Sequence, residues 1–136
     1  MNLVIIPYEA HELPSVWPYA VEHLQAFCDR SNGHCSIGHI HLEIASDRAK
    51  LWLGFKGEYC VAAATTIIEL RENQKVLTVQ HCGAKGMDGW KEHLEVFTNH
   101  AKNNQCSSIE FEGRPGWQRV LPQVSVVSTT YRMEVI

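Results

Sequence analysis

At 136 residues, 45% hydrophobic and 20% charged, the chain has the size and composition of one soluble globular domain around one core. Its net charge of -3 and pI near 6.2, with Lys and Arg scattered along the chain, exclude a protein built mainly to neutralise a phosphate backbone. No run approaches the ~18 apolar residues that cross a bilayer. The opening MNLVIIPYEAHELP lacks the basic and long apolar regions of a signal peptide, so a soluble, non-secreted protein with neither nucleic-acid nor membrane partners is expected.

In chain order, NLVII (residues 2–6) reads as a short strand stopped by Pro7. From Ser15, Val16, Ala20, Leu24 and Phe27 recur at helical spacing, with Pro18 placed in the first turn and the helix ending near Arg30. A second short helix is predicted over Ile37–Ala45, with Ile37, Ile40 and Ile44 on one side. Leu51–Phe55 and Tyr59–Leu70, separated by Lys56-Gly57-Glu58, form a hairpin signal. The polar turn Arg71-Glu72-Asn73-Gln74 leads to a third antiparallel strand, Lys75–Gln80.

A glycine-rich loop, QHCGAKGMDGW (Gln80–Trp90), then joins that strand to a helix marked by Trp90, Leu94, Phe97 and Ala101. Ser107–Glu112 alternates like a strand. Gly113-Arg114-Pro115-Gly116 breaks it, Trp117–Leu121 has room for a turn or two of helix, and Val124–Val135 is a last β-prone run. A three-strand meander followed by a strand–helix–strand crossover implies an α/β domain of the α+β kind over residues 1–136, with a central mixed sheet and helices on both faces.

The cysteines are Cys28, Cys35, Cys60, Cys82 and Cys106. An odd count without CxxC spacing is not a disulfide framework, and Cys60 and Cys106 read as small buried hydrophobes. Cys28, His34, Cys35, His39 and His41 lie close in sequence, but without zinc-ligand spacing they read as solvated side chains around a loop. No metal site is expected. Trp52, Trp90 and Trp117 read as core aromatics, and Arg114 and Arg119 as surface ion pairs or phosphate contacts.

The order of elements resembles the GNAT acetyltransferase superfamily, and more narrowly a group of short GNAT-like proteins encoded by tailed bacteriophages. The resemblance is carried by Leu51-Trp52-Leu53, by Gly83, Lys85-Gly86-Met87-Asp88 and Trp90, by Ala101 and Cys106, and by Glu112–Trp117 with Arg119-Val120-Leu121. It spans residues 51–121. The family's cofactor loop has the pattern Q/R-x-x-G-x-G/A. Here Gln80 and Gly83 match it, Lys85 stands where Gly or Ala is usual, and Gly86 follows one place late.

The resemblance implies an acetyl-CoA site formed by Val79, Gln80, His81, Gly83, Ala84, Lys85, Gly86 and Asp88. Inward-turned backbone N–H groups and the following helix start suit a pyrophosphate there. Acetyl transfer to an amine also needs a base and an acid. The strand Lys75–Val79 carries no carboxylate, so the candidates are Glu69, provided its side chain faces the cleft, His81, and Tyr131 as the late tyrosine.

Two functions follow from the resemblance. One is an N-acyltransferase or acetyl-CoA binder acting on a small-molecule or protein amine in the cytoplasm of an infected host. The other is a non-catalytic virion or assembly protein that meets other virion proteins and keeps the fold as a scaffold.

Overall fold

The computed structural model describes residues 3–31, 33, 35–84, 94–111, 125 and 133–135. Strand β1 is Leu3–Tyr8, followed by a single 3-10 turn, Ala10–Glu12. Helices α1 (Leu13–Arg30) and α2 (Ile37–Ala45) come next, then strands β2 (Lys50–Lys56), β3 (Tyr59–Arg71) and β4 (Gln74–Ala84). Helix α3 (Leu94–Asn103) crosses over to β5 (Ser108–Phe111). The sheet order is β1-β2-β3-β4-β5, antiparallel throughout except that β5 runs parallel to β4.

Most of this follows from local chemistry. Ser36 caps α2, its hydroxyl accepting the His39 N–H at 3.3 Å. Gly57 supplies a φ of +62° in the two-residue turn between β2 and β3. The apolar stripe of α1 (Leu13, Val16, Ala20, Leu24, Cys28) and that of α2 (Ile40, Ile44) are buried together over Leu51, Leu53 and Ala63. On the opposite face Trp52, only 3% exposed, meets Phe97 and His100 of α3 edge-on, each with ring centroids 5.0 Å away. Helices therefore cover both faces, as the sequence implies.

Three boundaries differ from the sequence reading. Pro7 does not stop β1 but lies within it, opposite Trp52. An edge strand tolerates this because one side of its backbone needs no ladder partner. Helix α1 begins at Leu13 with Pro14 in its first turn, which moves Pro18 into the helix interior.

The third difference bears on the site. Strand β4 continues to Ala84, so Gln80–Ala84, read as the start of a loop, are strand. Their partners on β3 run along Ala62, Ala63, Ala64 and Thr65. Small residues on both strands make a shallow seat for α1. Its His23 side chain, 4% exposed, hydrogen-bonds through Nε2 to the Cys60 carbonyl at 2.9 Å.

Trp90, Glu112, Gly113–Gly116, Trp117–Leu121 and Tyr131 lie outside the described residues, as does most of Val124–Val135. Ser125 and Met133–Val135 are described and are not in strands. Among the described residues, no helix is long and apolar enough to cross a membrane.

Candidate functional site

The β3–β4 ladder changes register once. Thr65 faces His81 and Thr66 faces Val79, so Gln80 has no partner on β3 and forms a bulge. A bulge inserts one residue and resets which face later side chains point to. Strict alternation would send Thr78 and His81, three apart, to opposite faces. Instead both face α1 and α2. The Thr78 hydroxyl donates to Glu69 Oε1 at 2.9 Å, and the His81 ring meets Phe27 of α1 edge-on at 5.3 Å.

His81 is half-buried, and its Nδ1 lies 2.6 Å from the Oγ1 of the fully buried Thr65. Burial draws its pKa below the ordinary 6.5, and the positive field of His39 lowers it further, against an opposing pull from Glu43. The imidazole is therefore neutral near pH 7. His39 and Glu43 lie one turn apart on α2 and contact each other at 3.4 Å, and Arg48 reaches the other Glu43 oxygen at 3.2 Å.

Beyond His81 the same face carries a second polar group. Arg71 contacts Glu69 at 3.1 Å and Glu110 of β5 at 2.7 Å. Glu110 is opposite Thr78 in the parallel ladder, which the described residues extend from Val76↔Ser108 to Val79↔Phe111. Glu69 lies on the α1/α2 side of the sheet. There, Thr78 binds one of its carboxylate oxygens and Arg71 the other, so Glu69 closes a polar bridge between β3, β4 and β5. It is not placed as a free base.

Gly83 needs a larger correction. It is buried on β4, and a Cβ built on it falls against the His23 carbonyl, 2.8 Å from the carbonyl carbon. Its missing side chain makes room for α1. It does not sit in a surface loop open to a phosphate. Val79 and His81 flank the Gln80 bulge, and Ala84 ends the strand opposite Ala62. Lys85, Gly86, Asp88 and Tyr131 lie outside the described residues.

The cluster of cysteines and histidines disperses. His39 turns to Glu43, and His41 stacks edge-on against Trp17 at 4.8 Å. Cys28 and Cys35 meet each other, and His34 lies outside the described residues. Cys60 packs partly buried beside the core, and Cys106 is also only partly buried. At the far edge of the sheet an open apolar hollow is lined by Val4, Ile6, Tyr8, Tyr19 and Phe55 with Gly57 and Glu58, none from β3 or β4.

Thr65, Phe27, His39 and Glu43 are not marked in the sequence as neighbours of His81, because only the bulge and the packing of two helices bring them to it. A run of three alanines facing a Cys-Gly-Ala stretch was the available clue that β4 ran on.

No protein-family model matches this chain, and no curated protein matches it. Solved structures do. The ribosomal-protein-alanine N-acetyltransferase of Brucella melitensis biovar Abortus 2308 superposes with a TM-score of 0.66 at 10% identity, covering 98% of this chain and 99% of that one. An aminoglycoside acetyltransferase from an uncultured soil metagenomic sample, solved with sisomicin, gives 0.67 at 9% identity, covering 97% of each chain. An integron cassette protein from the mobile metagenome of V. cholerae gives 0.63 at 11% identity, covering 99% of this chain and 94% of that one. At such identities the likeness is one of fold. The chain has the fold of the GNAT acetyltransferases.

Proposed function

We propose that the chain is an acetyl-CoA-dependent N-acetyltransferase acting on an amine, with His81 as its base. The observation that carries this is the placement of His81 immediately after the Gln80 bulge, half-buried and anchored through Nδ1 to buried Thr65. The fold shared with acetyltransferases supports it.

With its proton on Nδ1 and donated to Thr65 Oγ1, the ring keeps a lone pair on Nε2. That nitrogen takes a proton from the acceptor ammonium, breaking the N–H bond and leaving a nucleophilic amine. The depressed pKa of His81 keeps Nε2 unprotonated near neutral pH. Phe27 walls the ring on one side.

Acetyl-CoA, when bound, supplies the activated acyl group. Its extended amide arm is assigned to the backbone of Gln80, which has no partner on β3, next to Val79. Gly83 does not belong to that set, because His23 fills the space beside it. The resemblance assigns Ala84, Lys85, Gly86 and Asp88 to the pyrophosphate and Tyr131 to the acid. The acceptor is a small-molecule or protein amine.

The test is calorimetric titration of acetyl-CoA, followed by release of free thiol with a panel of primary amines. His81→Ala is expected to cut kcat about 100- to 10,000-fold while leaving the affinity for acetyl-CoA unchanged. If folded wild-type protein gives no heat at millimolar acetyl-CoA, this reading fails.

Gly83 favours a second reading. A glycine kept for helix packing is what a scaffold without chemistry also retains. Under that reading the chain is a phage virion or assembly component that contacts other virion proteins, in the host cytoplasm or in the particle. Stoichiometric recovery from purified virions, with no acetyl-CoA binding, would support it.

A further inference from the structure

The end of α1 and the chain just before α2 bring two thiols together. Cys28 Sγ and Cys35 Sγ lie 3.0 Å apart, seven positions apart in sequence. A disulfide is about 2.0 Å long, so the sulfurs need close by only about one ångström. Ser31 ties the two cysteines into one turn. Its hydroxyl donates to the Cys28 carbonyl at 2.7 Å and accepts the Cys35 N–H at 3.3 Å.

The two sulfurs are not equivalent. Cys28 is 7% exposed, whereas Cys35 is only partly buried. We propose that Cys28 and Cys35 form a reversible oxidation site, a thiol pair that a peroxide converts to an intramolecular disulfide joining α1 to α2. The exposure of Cys35 makes it the attacking group. Burial, with help from the neighbouring Cys35, pushes the Cys28 thiol up to about 12. A thiol so reluctant to ionise is a poor first nucleophile toward peroxide, and its 3.0 Å contact with Cys35 is what brings it into the second step.

In the first step the Cys35 thiolate attacks one peroxide oxygen. An S–O bond forms, the O–O bond breaks, and the other oxygen leaves as water after taking up a proton. In the second step the Cys28 sulfur attacks the sulfenic sulfur. The S–S bond forms, the S–O bond breaks, and hydroxide leaves as water with the Cys28 proton. The pair gives up two electrons and two protons, and one peroxide becomes two waters.

This inference does not depend on the acetyltransferase reading, although the two meet in space. Phe27 precedes Cys28 on α1, and Cys35, two residues before α2, leads to His39 on that helix. The staple therefore fixes the spacing of two elements that surround His81.

The experiment treats the folded wild-type protein with stoichiometric hydrogen peroxide and reads it by intact mass and non-reducing peptide mapping. The expected result is loss of two hydrogens, one peptide linking Cys28 to Cys35, and full return of both thiols with reductant. Cys28→Ser should instead accumulate a sulfenic acid at Cys35 that a dimedone probe traps, while Cys35→Ser should give neither crosslink nor trapped acid at Cys28. Circular dichroism verifies that each variant is folded. The proposal is overturned if both thiols stay open to alkylation after peroxide, if Cys35 goes to sulfinic acid without a crosslink, or if the crosslinks run to Cys60, Cys82 or Cys106.

Discussion

On the face of the sheet beneath α1 and α2, two regions do opposite work. Strand β2 offers Leu51 and Leu53, both fully buried under Leu24, Ile40 and Ile44. Strand β4 offers Thr78 and His81 to the same side, with Thr65, Glu69, Arg71 and Glu110 around them. The first region drives folding by removing apolar area from water. In the second, the threonine hydroxyls and the glutamates have directed partners, which keeps polar groups partly withdrawn from water satisfied. One sheet thus separates its stability from its candidate chemistry. The dividing line runs along β3, where Ala63 faces the core and Thr65 faces the histidine.

Gly83 sits where the two regions meet, and changing it should have the largest effect. Gly83→Val puts a branched side chain against the His23 carbonyl, a backbone atom that cannot swing aside. The expected loss is about 3 kcal/mol, at the upper end for overpacking, read as a lower midpoint in urea. A stable Gly83→Val that had lost only acetyl-CoA binding would show that the glycine serves a ligand after all.

A subtler way to sharpen the comparison is through pH. His81 titrates below 6.5 because it is buried and faces His39, with Glu43 opposing. The unfolded chain therefore binds a proton that the folded chain resists. This contribution to stability falls as pH drops below 6.5 and is fully present above it. His39→Gln should raise the His81 pKa and Glu43→Gln should lower it, both followed by the imidazole resonances in NMR. Equal pKa values in both variants would mean that α2 does not face the ring. The rising limb of the pH–rate profile should move with the same two substitutions.

The smallest effect belongs to Arg71. Its side chain is 44% exposed, so the bridge to Glu69 and Glu110 is screened by solvent. Arg71→Ala should lower the urea midpoint only slightly, and less at high salt than at low. A large loss would make the bridge part of the fold's foundation rather than its trim.

The order of elements was legible in the sequence because periodicity reports burial directly. Ile40 and Ile44 on α2, Leu24 on α1 and the meander of β2 to β4 all fall where their spacing places them. The end of β4 was not legible. His81-Cys82-Gly83-Ala84 has the composition of a turn, and glycine is weak evidence for a strand. Only its ladder with Ala62–Thr65 and the weight of α1 make it one. The candidate site was half legible. His81 was singled out for its titration range, but the extra residue at Gln80 that turns it toward α1 leaves no mark on hydrophobic alternation. Glu69 was found for its charge, while its two partners could be seen only in three dimensions.

Pro7 has a consequence for life in a crowded solution. Among the described strands β1 forms an edge of the sheet, with Val4 and Ile6 exposed beside it. Such an edge is a template on which another chain can add a strand and begin a filament. A proline near its end withholds one donor from the row and interrupts the hydrogen bonds an intruder would need. The residue that makes β1 harder to recognise as a strand also makes it harder to recruit into an aggregate.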